Sequence, residues 1–497
     1  MNQQITRVSL AAVLLIAALI VATTYWQTWA SAGLKDRQDN AIQRVAQFSI
    51  ERGKILASDG TVLARNKAKK VGGHTLYFRR YPHGSLAAHL VGYATQSRNA
   101  TGIERGEDDY LTGANANLSS LWDSTLNRLK GETIKGNDIV LTLRTRAQQV
   151  ANEQLAGKCG AVVALDPHTG AVLVMASAPT FNPNLVESNG GFASILRAKS
   201  PCGEASPLLN RATDGLFVPG STFKIVTASA ALDSGAVTPD TGFDDPGYCM
   251  EYGVKVRNAG NPEAPETFGH VSFFQAFQHS INSVFCNVGK QIGAGRILEE
   301  ARKFGFYAVP PLETPLNERA PSGLYDPKKH VLFRPKNPAT QVDPGRLAFG
   351  QEKMLVTPLQ MAMVAATVAN GGKVPQPYAV QRVISPSGKT VAKTGVHDLG
   401  QAIKTRTAQE LTPMMVAVVN GGTAPAAAIP GIQVAGKTGT AETGVNGVNT
   451  TWFVAFAPAD NPKVAVAVVL EKQLNGFGGT TAAPIAKAVM QAILGRG

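Results

Sequence analysis

A Pro-Gly turn at Pro219-Gly220 hands over to an apolar stretch through Ile225, Val226, Ala228 and Ala231, with Ser221-Thr222-Phe223-Lys224 between them. This junction constrains the chain more than any other stretch, because it sets where a helix starts and which side chains meet on its first turn. An α-helix repeats every ~3.6 residues, so Ser221 and Lys224 stack on one face with Cβ atoms ~5 to 6 Å apart. The lysine amine can reach the hydroxyl. A serine needs a neighbouring base to act as a nucleophile, and the free amides and positive dipole end of a helix start favour a developing negative charge. One turn supplies both. Taken alone, the tetrad also reads as an N-capping serine followed by a surface lysine, so its meaning depends on what else the chain carries.

The 497 residues allow roughly two to three domains, and 44% hydrophobic with 17% charged residues is ordinary globular composition. The net charge of +13 is spread over isolated Lys and Arg, without a basic run interleaved with aromatics. That argues against a nucleic-acid partner. The excess suits a polyanionic environment such as a membrane surface or cell wall, or simply solvated basic faces.

From Val8 to Trp26 no residue is charged, and these nineteen residues just span a bilayer as a helix. Trp26 and Trp29 stand where an interfacial aromatic belt would lie. The rival is a cleaved signal peptide, with Ala30-Ser31-Ala32 as the small-residue site, but the uncharged stretch is longer than a usual signal core. An uncleaved anchor over residues 8–26 is the expectation, with residues 1–7 as a cytoplasmic tail. Flanking charge fixes its orientation poorly.

The four cysteines, Cys159, Cys202, Cys249 and Cys286, show no C-x-x-C spacing, and the eight histidines form no cluster. Neither a metal nor a redox centre is expected. An even count permits up to two disulfides in an oxidising compartment, and free buried thiols are the alternative.

Residues 27–145 read as an irregular α+β domain that opens on a hairpin, Arg52–Ala57 and Thr61–Ala64, around the turn Ser58-Asp59-Gly60. A helix starts near Thr142, and residues 146–497 form the larger domain. Gly160–Leu165 and Ala171–Ala176 flank a turn at Asp166–Gly170, as a buried hairpin would. The pattern from Ser221 to about Val288 reads as mostly helical. Pro358–Ala369 is another apolar helix, stopped by Asn370-Gly371-Gly372. Val434–Thr440, Thr451–Phe456 and Val464–Leu470 read as consecutive strands closed by a helix, Pro484–Leu494. That order predicts an α+β fold with a central antiparallel sheet flanked by helices.

Two further short motifs follow the serine in order, Ser280-Ile281-Asn282 and Lys437-Thr438-Gly439-Thr440. Each has a twin: Ser97-Arg98-Asn99 precedes the serine, and Lys393-Thr394-Gly395 follows a Ser-Pro-Ser-Gly turn without the later strands that would hold it beside a site. Gly431–Thr438 also satisfies the phosphate-loop pattern G-x-x-x-x-G-K-T. Context rejects that reading, because no good strand precedes it and Gly439, Gly444 and Gly447 prevent a following helix.

S-x-x-K, Ser-x-Asn and K-T-G in this order resemble the set of penicillin-recognising serine enzymes. The chain as a whole resembles a class B penicillin-binding protein, a membrane-anchored peptidoglycan D,D-transpeptidase. The likeness covers almost the full length: the anchor, Arg52-Gly53-x-Ile55, Gly102-Ile103-Glu104, Asn210-Arg211-Ala212, Gly350-Gln351, Thr357–Gln360, Asn370–Gly372, Gly421–Ala424 and Lys437–Glu442. The polar segment before the larger domain is too short for the glycosyltransferase module of bifunctional relatives.

The resemblance implies an elongated pedestal or dimerisation-type domain before a penicillin-binding, serine β-lactamase-like transpeptidase domain. It implies Ser221 as nucleophile on the penultimate D-Ala carbonyl of a stem pentapeptide and Lys224 as its base, kept uncharged by burial and by Lys437. Ser280 would relay a proton, Asn282 would bond Lys224 and the substrate amide, and Lys437 would supply positive potential. Thr438 and Thr440, flanking Gly439, would bind the terminal carboxylate, with the Ser221 and Thr440 amides as oxyanion hole. It further implies no cofactor, β-lactams as inhibitors, peptidoglycan stem peptides and lipid-linked strands as substrates, a SEDS-family glycosyltransferase as membrane partner, and an extracytoplasmic catalytic domain. A D,D-carboxypeptidase or β-lactamase would use the same serine. A β-lactam sensor would need several spans and a signalling element, which the sequence lacks, and an idle scaffold would not need the complete set.

Overall fold

The computed structural model describes residues 2–25, 48–71, 74–95, 98–114, 135–198, 200, 202, 206–261 and 264–496. The chain begins with helix α1 (Asn2–Tyr25), followed by β1 (Ile55–Leu56), the hairpin β2 (Val62–Val71) and β3 (His74–Arg80), and β4 (Asp138–Leu141). Helix α2 (Thr145–Leu155) leads into β5 (Gly160–Leu165) and β6 (Val172–Ala178). Helices α3 (Lys224–Asp233), α4 (Phe273–Gln278), α5 (Asn282–Lys303) and α6 (Pro358–Ala369) come next. Strands β7 (Val380–Ile384) and β8 (Thr390–Lys393) precede α7 (Thr405–Gly421), and β9 (Ala435–Glu442), β10 (Val448–Ala457), β11 (Val464–Leu474) and α8 (Ala483–Leu494) close the chain.

The central sheet is antiparallel, in the order β9-β10-β11-β5-β6. Every residue from Val464 to Leu470 of β11 is buried. Successive strand side chains point to opposite faces, so both faces must be covered. Helix α6 packs on β5, β10 and β11, while α8 packs on β10, β11 and α2. All twelve residues of α6 are buried, as expected of a helix apolar all round. Its start is set by Thr357, whose side chain accepts from Gln360 N, and by Pro358 in the first turn. The edge position of β9 leaves one side of that strand free to meet the segment around Ser221.

A second, six-stranded sheet runs β8-β7-β4-β1-β2-β3, so strands from beyond residue 146 complete the sheet that the first part of the chain begins. The expected hairpin is present, with Ile55 opposite Ala64 and Leu56 opposite Val62. Lys393 ends β8, at the exposed edge of this sheet, and the Thr394 hydroxyl donates to Val380 O. The second K-T-G therefore does stand at a sheet edge, but on the sheet that Ser221 does not approach. Gly436 and Lys437 lie within β9, which removes the phosphate-loop reading, since that loop must be a turn before a helix.

One expectation is corrected. Between Asp233 and Phe273 the chain is not helical but forms short antiparallel pairs, 242–245 with 269–272 and 248–251 with 254–257. The reason is local: Tyr252 and Gly253 take left-handed backbone at φ 46° and 78°, which makes a tight hairpin turn. The cysteines pair as Cys159–Cys202 and Cys249–Cys286, with Cα separations of 5.5 and 6.3 Å.

Helix α1 carries exposed apolar side chains, among them Leu10, Leu14, Leu15 and Ile20. Among the described residues no helix is long and apolar enough to cross a membrane. Trp26, Trp29 and Ala30–Ala32 lie outside the described residues, as does Ser97 of the first Ser-x-Asn twin.

Arg52-Gly53-x-Ile55 and Gly102-Ile103-Glu104 meet in the first part of the chain. The fully buried Glu104 carboxylate accepts from Arg79 Nε at 2.7 Å, Arg52 at 3.2 Å and the Tyr81 hydroxyl at 3.3 Å. Burial alone would raise its pKa, but the Arg79 and Arg52 guanidiniums override that and hold it below the usual value. A carboxylate depressed in the folded state contributes stability that is present above its unfolded pKa and lost as pH falls through the folded one. Glu104→Gln leaves the Arg79 guanidinium buried without its anion, while Arg52 keeps Asp108, and is expected to cost ~3 to 5 kcal/mol. Denaturant unfolding at neutral pH checks this, and the gap between wild type and variant should narrow in acid.

Candidate active site

The segment before α3 is a tight 3-10 turn, Gly220–Phe223, so Ser221 precedes the α-helix proper by one turn and Lys224 is its first residue. Gly220 is left-handed at φ 52°, and a Cβ there would stand 2.8 Å from Thr440 O. A Cβ on Gly439 would stand 2.7 Å from Pro219 O and 2.9 Å from Thr222 Cγ2. The two backbones thus approach to a distance that only glycine permits. Trp452 locks the approach by donating from Nε1 to Val218 O at 3.0 Å.

Ser280 sits in the corner between α4 and α5. A capping box of Ser272 and Gln275 starts α4. At its end Ser280 takes φ 60°, strained for a residue with a side chain, held by Ser280 N to Phe277 O and Ile281 N to Ala276 O. This corner turns both the carbonyl and the hydroxyl of Ser280 toward Lys224. Asn282 opens α5 and donates from Nδ2 to Arg257 O at 3.0 Å.

Both lysine amines are fully buried, and among the described residues neither has a carboxylate partner. Lys224 Nζ lies 2.7 Å from Ser280 O, 2.8 Å from Asn282 Oδ1 and 3.2 Å from Ser280 Oγ. Lys437 Nζ donates to the same Ser280 Oγ at 2.8 Å. Phe285 and Phe277 place their rings 5.0 and 5.7 Å from the two amines. Burial, and then the neighbouring Lys437, push the Lys224 pKa well below its ordinary value. Burial brings Lys437 down to about 7.

These contacts fix what Lys224 can do. A neutral amine has two N–H donors and one lone pair. The two oxygens that can only accept, Ser280 O and Asn282 Oδ1, take both donors. The lone pair is left for a hydroxyl. No hydrogen bond joins Ser221 Oγ to Lys224 Nζ among the described residues, and the hydroxyl that the amine meets is that of Ser280.

Every residue singled out from sequence for this site lies on these converging segments: Ser221 and Lys224 on the turn and α3, Ser280 and Asn282 at the corner, Lys437, Thr438, Gly439 and Thr440 on β9. Two contributors carry no sequence signal of their own. Thr423 Oγ1 lies 2.6 Å from Thr438 Oγ1, and Arg257 acts through its main-chain oxygen. Cys249, Glu251 and Cys286 are the one group of metal-type ligands that meet among the described residues, and the disulfide removes both thiolates.

Residues 160–491 match the family described as penicillin binding protein transpeptidase domain. The chain belongs to the penicillin-binding proteins. It is a class B member, since residues 52–139 match the penicillin binding protein A dimerisation domain. The peptidoglycan D,D-transpeptidase PbpA of Mycolicibacterium smegmatis is 34% identical, over all of both chains. Penicillin-binding protein A from M. tuberculosis, solved as an imipenem acyl-enzyme complex, superposes with TM-score 0.76 at 32% identity, covering 90% of this chain and all of that one. A D,D-transpeptidase domain from Eggerthella lenta gives TM-score 0.75 at 34% identity, covering 90% and 99%.

In a penicillin-binding protein with this geometry, Asn282→Asp sets a carboxylate 2.8 Å from Lys224 Nζ. An opposite charge favours the ammonium form and raises the amine's pKa. Acylation by benzylpenicillin should fall about 100-fold or more at neutral pH, and recover as pH rises. Stopped-flow acylation across a pH series checks both the size and the sign.

Proposed function

We propose that this chain is a peptidoglycan D,D-transpeptidase that cross-links stem peptides through an acyl-enzyme on Ser221. The observation that carries the reading is the buried Lys224 amine, with both donors taken by carbonyl oxygens and its charged form disfavoured. Ser221 Oγ attacks the carbonyl of the penultimate D-Ala, and its proton passes to Lys224. The bond to the terminal D-Ala breaks, and the leaving amine takes a proton from the Ser280 hydroxyl, which recovers one from Lys224. An acceptor amine from a second strand then attacks the ester and frees Ser221.

Binding roles follow from position. Lys437, its pKa brought down to about 7 by burial, gains charge as the substrate's carboxylate arrives, which draws that carboxylate toward the Thr438 and Thr440 hydroxyls. Asn282 orients Lys224 and meets the substrate amide. The Ser221 and Thr440 amides form the oxyanion hole, a reading supported by the close approach of Gly220 to the Thr440 backbone. A β-lactam acylates the same serine. A D,D-carboxypeptidase would pass the same acyl group to water.

The proposed layout has a cytoplasmic tail 1–7, a single anchor over residues 8–26, a pedestal domain over 27–145 and a transpeptidase domain over 146–497, with the bulk outside the cell membrane. Its support is the uncharged stretch within α1 and the absence of free cysteines, which suits an oxidising compartment. A SEDS-family glycosyltransferase is the proposed membrane partner, on resemblance alone.

Fluorescent penicillin should label the wild type covalently and leave Ser221→Ala unlabelled in a gel assay. Equal labelling of the two, or none of the wild type, refutes the assignment. With a D-Ala-D-Ala peptide and a D-amino acid acceptor, mass spectrometry should find exchange product ahead of hydrolysis product. Hydrolysis alone would make the chain a carboxypeptidase.

A further inference from the structure

From Thr61 to Ile103 the chain holds no Asp or Glu, yet it carries Arg65, Lys67, Lys69, Lys70, Arg79, Arg80 and Arg98. Most of these cations fall on the β2–β3 ribbon. The register sets Arg65 opposite Arg80, Lys67 opposite Phe78 and Lys69 opposite Leu76. Directly opposed residues share a face, so Arg65, Lys67, Lys69 and Arg80 stand together. Arg79 is on the other face, turned inward to Glu104.

Arg65, Lys67, Lys69 and Arg80 are exposed, and among the described residues none pairs with a carboxylate. Like charges directly opposite across a strand pair are destabilising. Here the unfavourable Arg65–Arg80 pair opens onto a cleft of about 560 Å³, which Lys67 and Asn184 also line. A site that concentrates cations and leaves them without anions is suited to an external one.

We propose that this face of the β2–β3 ribbon lies on the phosphodiester headgroups of an acidic phospholipid bilayer. Three observations select a bilayer over a hydrated anionic wall polymer. The cations alternate with the apolar groups Leu76 and Phe78, and the distal end of the same face carries Val71, 45% exposed. Mixed cationic and apolar side chains fit the interface, where stems and rings sink while charges stay at headgroup level. Phe48, which precedes β1 on the anchor side of the sequence, stacks its ring on Phe78 at 6.0 Å and so adds a second aromatic ring to this face. The inference rests on the anchored reading proposed above.

The test uses the full-length chain in nanodiscs of phosphatidylcholine, with and without phosphatidylglycerol, and follows lysine acetylation by mass spectrometry. Lys67 and Lys69 should react about tenfold more slowly in the anionic discs, Lys463 should be unchanged, and raised salt should abolish the difference. In Lys67→Glu, protection of Lys69, on the same face, should disappear while penicillin labelling stays at the wild-type level. A chain that enters the neutral discs but acetylates equally in both kinds overturns the inference. So does protection by a soluble phosphate-bearing wall polymer with none from anionic discs. A chain that does not enter neutral discs overturns the anchored reading, and this inference with it.

Discussion

Two fully buried lysine side chains converge on one serine hydroxyl. Moving an ammonium out of water costs several kcal/mol unless an anion compensates, and neither Lys224 nor Lys437 has one among the described residues. The pair therefore cannot both stay charged at moderate pH, and proton position becomes the property the site controls. The surroundings serve this. Phe285 and Phe277 set their rings beside the two amines, and the carbonyl oxygens of Ser280 and Asn282 hold the Lys224 donors, so its lone pair is the group left to react. A carboxylate brought beside Lys437 would restore to it the charge that burial has weakened.

The same tripeptide occurs twice in this chain, and the contrast separates motif from site. Lys393-Thr394-Gly395 ends an exposed edge strand, and the nearest group to a Cβ on Gly395 is the tip of the His397 ring, a side chain free to turn away. In Lys437-Thr438-Gly439, the glycine faces the main chain of Pro219, which cannot move without displacing Ser221. Chemistry thus depends on the segment that approaches the strand, and the tripeptide alone does not define it.

The buried architecture was legible in sequence where strands are covered on both faces, because β5, β6 and β11 then read as unbroken apolar, β-branched runs. α6 was legible from its length and its Thr-Pro start. The short pairs between residues 242 and 272 were not, since strands of four residues with exposed faces leave no period to detect. The order of the three motifs pointed to the segments that the fold brings together. It could not reveal Thr423, whose contact is hydroxyl to hydroxyl, nor the cysteine pairing, for which four thiols allow three arrangements.

The hardest feature to anticipate is how the orientation of Asn282 is decided. Its amide must present oxygen to Lys224, for an NH₂ there would repel the amine's donors and leave the base competing for its own lone pair. The choice is enforced from the other end, because Nδ2 finds an acceptor in Arg257 O. Arg257 lies on the hairpin 248–257, and that hairpin is tied to α5 by Cys249–Cys286, one helical turn beyond Asn282. The protonation state of the base is thereby set in part by a main-chain oxygen on a loop that no catalytic motif includes.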